Sequence, residues 1–107
     1  MKHDPHKMVL KFIEIDNGET LAYRVMGKGE RAIILLHGNM ASSKSWEILM
    51  PKLGNNYQLY AVDLRGFGNS SYKNRVNSVT DFAMDLKLLV DKLNLEKFVL
   101  LGWSTGG

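Results

Sequence analysis

The sequence predicts an α/β domain: a mostly parallel sheet with an antiparallel hairpin at its N-terminal margin. Two continuously apolar runs, Ala32-Ile33-Ile34-Leu35-Leu36 and Phe98-Val99-Leu100-Leu101, have the pattern of short strands covered on both faces. After residue 30, strand-like and helix-like segments alternate, and such alternation winds into a parallel sheet with helices on both faces. Upstream, Asn17-Gly18 stands between two β-rich segments as a hairpin turn.

The elements come in order along the chain. Residues 9–16 read as a strand by composition, although Phe12 and Ile15 break strict alternation, and residues 21–26 form its partner across Asn17-Gly18. Residues 27–30 are a loop and 32–36 the first buried strand. Residues 42–53 are a helical candidate: Ser43 or Ser45 can cap it, and Trp46, Leu49 and Met50 share one side. Pro51 removes a helical hydrogen bond and should end or kink it. A strand over 57–62 runs into Asp63, and the loop 64–77 is rich in Gly, Asn and Ser. Ser78-Val79-Thr80-Asp81 has the capping-box pattern. Val79, Phe82, Ala83, Leu86, Leu89, Val90 and Leu93 then form an apolar stripe, with Asp81, Asp85, Lys87, Asp91 and Lys92 assigned to the other side. Asn94 suits the left-handed residue that closes a helix. A last buried strand, 98–101, runs into Gly102-Trp103-Ser104-Thr105-Gly106-Gly107.

Composition narrows the function classes. The chain has 107 residues, 45% hydrophobic and 23% charged, a balance that suits one packed domain rather than a disordered chain. Lys plus Arg is 14 against 11 Asp plus Glu, but the basic residues are scattered, so nothing tracks a phosphate backbone and nucleic acid is not an expected partner. With no Cys, disulfides, thiolate nucleophiles and Cys-based metal sites are excluded. Residues 1–8 read as a flexible tail; His3, Asp4 and His6 there suit solvent better than a metal. No apolar stretch suggests a leader or a membrane span, so a cytoplasmic protein without a membrane partner is expected. The Met residues and Trp46 read as core packing rather than a cofactor box.

The chemistry concentrates at strand ends. Gly102-Trp103-Ser104-Thr105-Gly106 is a G-x-S-x-G pattern directly after a buried strand. On a sharp strand-to-helix turn, Gly102 and Gly106 permit the close approach, Ser104 is lifted above the sheet, and the Thr105 N–H faces a developing oxyanion. A glycine-rich turn with an incidental serine is the plain alternative. His37-Gly38-Asn39-Met40 comes directly after the first buried strand: Gly38 permits a tight turn, and the Asn39 N–H can serve as a second oxyanion donor. His37 precedes the serine, so a structural imidazole bonded to nearby backbone is favoured over a catalytic base. Asp63-Leu64-Arg65-Gly66-Phe67-Gly68-Asn69-Ser70 lacks the third glycine of a phosphate loop, because Ser71 stands there. Asp63 and Arg65 therefore read as a framework that shapes the loop beside the site.

Taken together, from about Val9 onward, the chain resembles the N-terminal part of an α/β-hydrolase-fold serine hydrolase. His37-Gly38-Asn39 looks like that family's oxyanion loop, residues 63–70 like the loop after its fourth strand, and residues 102–107 like its nucleophile elbow. Residues 65–71 and 104–107 are similar to the cofactor-free haloperoxidase and arylesterase branch, from which Asn39-Met40 departs. His-Gly-Asn also occurs in haloalkane dehalogenases, but the resemblance implies Asp at their elbow, and Ser104 points away from that chemistry and from epoxide hydrolysis. The resemblance further implies that the triad acid and histidine come later in the chain, so the sequence reads as an incomplete hydrolase domain ending within the elbow. The function it implies is that of a cofactor-free serine hydrolase acting on a small ester, lactone or related acyl substrate, with Ser104 as nucleophile. The alternatives are a non-catalytic hydrolase-fold receptor or signalling protein and a complete small binding module.

Overall fold

The structure is a computed structural model that describes residues 7–37, 46, 49–53 and 56–102. Strands β1 (Val9–Glu14) and β2 (Thr20–Gly27) form the hairpin, followed by β3 (Arg31–Leu36), a 3-10 helix (Met50–Leu53), β4 (Tyr57–Val62), helix α1 (Val79–Lys92) and β5 (Phe98–Gly102). The spatial order is β1-β2-β4-β3-β5. β2 is antiparallel to β1 and to β4, whereas β3 is parallel to β4 on one side and to β5 on the other. This is the mixed sheet with an antiparallel margin that the sequence predicts.

Side chains alternate across a strand, so a strand buried on both faces needs two cores. β3 has them. Ile34 and Leu36 join Ile15, Leu21, Tyr23, Val25 and Val62 under Leu89 and Val90 of α1. Ile33 and Leu35 join Met26, Leu59, Ala61, Trp46 and Met50 on the opposite face. The connection from β3 to β4 thus supplies one cover and α1 the other. The 42–53 helical prediction falls largely on residues outside those described, Ser43 and Ser45 included. Its described remainder is the 3-10 turn that Pro51 occupies.

Helix α1 shows why its boundaries are legible. Asp81 Oδ2 accepts the N–H of Asn77 (2.7 Å) and of Ser78 (3.3 Å), satisfying donors that the helix itself leaves open. The Asn77 bond holds this carboxyl below the usual carboxylate range, partly opposed by burial. At the other end Asn94 adopts φ 58°, and the Leu95 N–H closes on the Val90 carbonyl at 3.1 Å.

The apolar pattern of 98–101 predicts a strand covered on both faces of a complete domain; within these 107 residues it is the uncovered edge expected of a partial domain, with Phe98, Val99, Leu100 and Leu101 38–55% exposed. β5 pairs only with β3 among the described residues, and neither core cluster contains a β5 side chain. Two expectations about burial require correction, both in α1. Asp85, expected on the solvent side of α1, is buried. It lies three residues after Phe82 and four before Leu89, which is the apolar face. Val79, expected in the stripe, is 81% exposed in the first turn, and Ala83 is exposed as well. No helix among the described residues is long and apolar enough to cross a membrane.

Candidate active site at the strand ends

The parallel strands end on one rung. Leu36 of β3 faces Val62 of β4 on one side and Gly102 of β5 on the other. Three segments therefore leave the sheet side by side: His37 toward Gly38 and Asn39, Asp63 toward the glycine loop, and Gly102 toward Ser104. From β3 the chain steps first to β4 and then back across to β5, so succession reverses direction at β3. In open α/β sheets such a switch point leaves a crevice beyond the carboxyl ends of the strands, where ligands bind.

His37 is buried, and its Nε2 accepts the Leu64 N–H at 3.0 Å. A nitrogen that accepts a proton donor is unprotonated, so a neutral ring carries its hydrogen on Nδ1. The imidazole lies against Phe67, with ring centroids 5.0 Å apart, and Phe67 in turn lies 6.4 Å from Phe82. This arrangement engages Nε2 with backbone and gives His37, the residue before Gly38, a fixed orientation. Phe67 and Phe82 also line a cavity of about 310 Å³ with Arg65, Gly66, Tyr72 and Val76.

Asp63 is buried at the start of the 64–77 loop. Its Oδ2 accepts the Asn69 N–H (3.0 Å), its carbonyl accepts the Ser70 hydroxyl (2.7 Å), and its own N–H donates to the Ala22 carbonyl (2.9 Å). Gly68, at φ 52°, passes directly over this carboxylate: an added Cβ would stand 2.5 Å from it. Only glycine permits that approach.

Arg65 turns toward α1. Its Nε donates to Asp85 Oδ2 (2.8 Å) and its Nη2 to Asp85 Oδ1 (2.6 Å), while Nη1 reaches the Asn74 carbonyl (3.0 Å). The pair is bidentate and buried, and the Asp85 hydrogen bonds push the guanidinium further up despite burial.

A third buried carboxylate, after Asp63 and Asp85, anchors the far end of the loop. Glu19, in the hairpin connection, accepts hydrogen bonds from the Ser71 hydroxyl (2.5 Å), the Lys73 N–H (3.0 Å), the Asn74 N–H (2.6 Å) and Asn74 Nδ2 (2.7 Å). Burial would raise its pKa, but these donors outweigh burial and bring the carboxyl down to about 2. Ser71 and Ser70 also stitch the loop to β2: the Thr20 N–H donates to Ser71 Oγ and the Ala22 N–H to Ser70 Oγ, both at 2.8 Å.

Of the residues singled out in the sequence, His37, Asp63, Arg65 and Gly102 are thus located, with His37 and Gly102 flanking one rung. Gly38, Asn39, Ser104, Thr105 and Gly106 lie outside the described residues. Sequence reasoning missed Glu19, Asp85 and Asn74. Asp85 had a signal: a carboxylate on an apolar helix face needs a partner. Glu19 had none, because its donors lie more than 50 residues away.

Residues 31–107 match the family described as the alpha/beta hydrolase fold. The chain belongs to that family. Among its relatives, the human serine hydrolase BPHL is 38% identical over 98 residues, covering 85% of this alpha/beta hydrolase chain and 33% of that protein. A protein of Synechocystis sp. described as a non-heme chloroperoxidase is 38% identical over 85 residues, covering 78% of this chain and 30% of its own. Among solved structures, the haloalkane dehalogenase DbeA of Bradyrhizobium elkanii superposes with a TM-score of 0.87 at 30% identity, covering 94% of this chain and 34% of the other. The chain therefore spans about a third of the length of these hydrolase-fold relatives.

Proposed function

We propose that the complete protein is a serine hydrolase acting on a small ester, lactone or related acyl substrate. The observation that carries this reading is the shared rung of Leu36 and Gly102, which starts the His37-Gly38-Asn39 and Gly102-Trp103-Ser104 segments from adjacent parallel strands. Ser104 then attacks the substrate carbonyl, and the N–H groups of Asn39 and Thr105 stabilise the oxyanion. His37, already bonded to Leu64, keeps a structural role. The base, which with its orienting carboxylate would come from sequence outside residues 1–107, takes the Ser104 proton and returns it to the alcohol oxygen as the acyl C–O bond breaks, and water then hydrolyses the acyl-enzyme to the acid and free Ser104. No cofactor takes part in these steps. The family and its serine hydrolase relative support the class, and the Ser at 104 supports acyl chemistry over Asp-based dehalogenation.

The test uses the complete protein. A fluorophosphonate probe should label wild type at Ser104, and p-nitrophenyl esters should be turned over; Ser104→Ala should lose both. A folded protein that binds small acyl compounds but neither labels nor turns over esters would be a receptor on the same fold.

A further inference from the structure

We propose that Glu19 is a positioning residue for the oxyanion loop, its buried carboxylate fixing the 64–77 loop whose Leu64 N–H holds His37; its catalytic consequence rests on the serine hydrolase reading above. The connection is continuous. His37 directly precedes Gly38-Asn39, and its Nε2 is held by the Leu64 N–H. Leu64 opens a loop folded by its own backbone bonds, with Phe67 N–H on the Leu64 carbonyl (2.9 Å), Ser70 N–H on Phe67 (3.0 Å) and Gly66 N–H on Ser71 (2.9 Å). Those bonds fix the shape of the loop but not its place. Its place is set by what it holds outside itself: Thr20 and Ala22 through Ser71 and Ser70, Asp85 through Arg65, and Glu19 through Ser71, Lys73 and Asn74.

Glu19 is the anchor with the most donors converging on one group, and the one whose burial is hardest to explain without a use. A buried carboxylate is destabilising unless nearly every lone pair is satisfied, and an apolar side chain of similar size often serves stability as well. An apolar residue, however, imposes no direction on its neighbours. A carboxylate that meets four donors from three residues of one loop fixes both distance and orientation. The charged groups around it are accounted for. Arg65 lies within its field, held by Asp85 and with Asp81 further along α1, and Lys73 supplies its backbone N–H. Asn17 Oδ1 accepts the N–H of Glu19 (3.1 Å) while Asn17 Nδ2 donates to Asp85 (2.8 Å), which joins the two carboxylates into one assembly.

Glu19→Gln keeps the shape but presents an NH₂ to a set of donors. In the complete protein it should lower kcat on a p-nitrophenyl ester by about 10- to 100-fold with KM nearly unchanged, the scale of a small misplacement at a reacting centre. Hydrogen exchange of the Leu64 amide should quicken in parallel. Leu59→Ala, which loosens the core on the face of the sheet opposite α1 and Leu64, serves as a control matched in melting temperature and should retain kcat. If Glu19→Gln does not fold, Asn74→Ala removes one donor and should shift kcat and Leu64 exchange in the same directions. Unchanged Leu64 exchange, or a kcat loss that Leu59→Ala reproduces at equal stability, overturns the proposal. A wild-type protein that neither labels nor turns over esters refutes the serine hydrolase reading instead, and Leu64 exchange still decides whether Glu19 holds that contact.

Discussion

β4 and β5 run parallel to β3 on its two sides and end on the same rung, yet their surroundings differ sharply. On the β4 side, Leu59, Ala61 and Val62 are fully buried, β2 adds a second ladder, and the loop after β4 is fastened by three buried carboxylates, Asp63, Asp85 and Glu19. On the β5 side, within these 107 residues, about a third of the length of the relatives, four apolar residues stand exposed and β5 has one ladder, to β3, among the described residues. An apolar run therefore specifies a strand, whereas its neighbours decide whether that strand is inside. The contrast also divides labour: the β4 side holds the frame and the β5 side delivers the proposed nucleophile.

That division can be broken most sharply at Ser104. In the complete protein, Ser104→Ala should reduce kcat by about 10⁴- to 10⁶-fold while leaving denaturant unfolding unchanged. Loss of stability with little loss of rate would reverse the roles of the two sides. On the β4 side, Asp85→Ala leaves the Arg65 guanidinium buried without its bidentate partner and should cost about 3–5 kcal/mol in urea unfolding. Replacing both, Arg65→Met with Asp85→Leu, should recover most of that loss; failure to recover would show that the loop needs the ion pair itself.

A core comparison is next in size. Leu59→Ala should destabilise by about 2–5 kcal/mol, the range for a truncated core leucine. In a polypeptide of these 107 residues Leu100→Ala should cost far less, and Val99→Lys should suppress self-association measured by sedimentation, since an uncovered apolar edge pairs with other chains. Acid then probes the loop. With its pKa at about 2 against an ordinary 4.5, Glu19 contributes stability that is complete above 4.5 and lost as pH falls toward 2. Glu19→Gln should flatten the acid limb of stability in that window. The smallest effect belongs to Asn39→Ala, which keeps the backbone N–H and should lower kcat less than about tenfold; a drop beyond about 10² would mean that the side-chain amide binds the oxyanion.

The range of the forces involved decides how much of the molecule is legible in its sequence. Local signals suffice for the strand over Tyr57–Val62, for the Ser78 start of α1, and for Asn94 in the left-handed region. Periodicity and capping act over a few residues. The apolar sequence of Phe98–Gly102 could not report its exposure, because burial depends on partners contributed from elsewhere in the chain. The pairing of Arg65 with Asp85 spans 20 residues, and that of Glu19 with Asn74 spans 55. Contacts of that reach leave no periodic trace. At the candidate site, the Gly102 and His37 strand ends are legible as motifs, while the hydrogen bond that orients His37 requires the fold.

The shared rung of Leu36 and Gly102 also constrains how the chain length can vary. One residue inserted within Phe98–Gly102 would move Gly102 off that rung and turn the next segment to the opposite face of the sheet. The offset between the starts of the two segments proposed to carry the oxyanion donor and the nucleophile would then change by a whole strand step, about 3.3 Å, too much for the proposed reacting geometry. An insertion at Glu96-Lys97, before the ladder begins, would leave the rung intact. Natural and engineered length changes should therefore be absent from the ladder and collect in the turn just upstream of it.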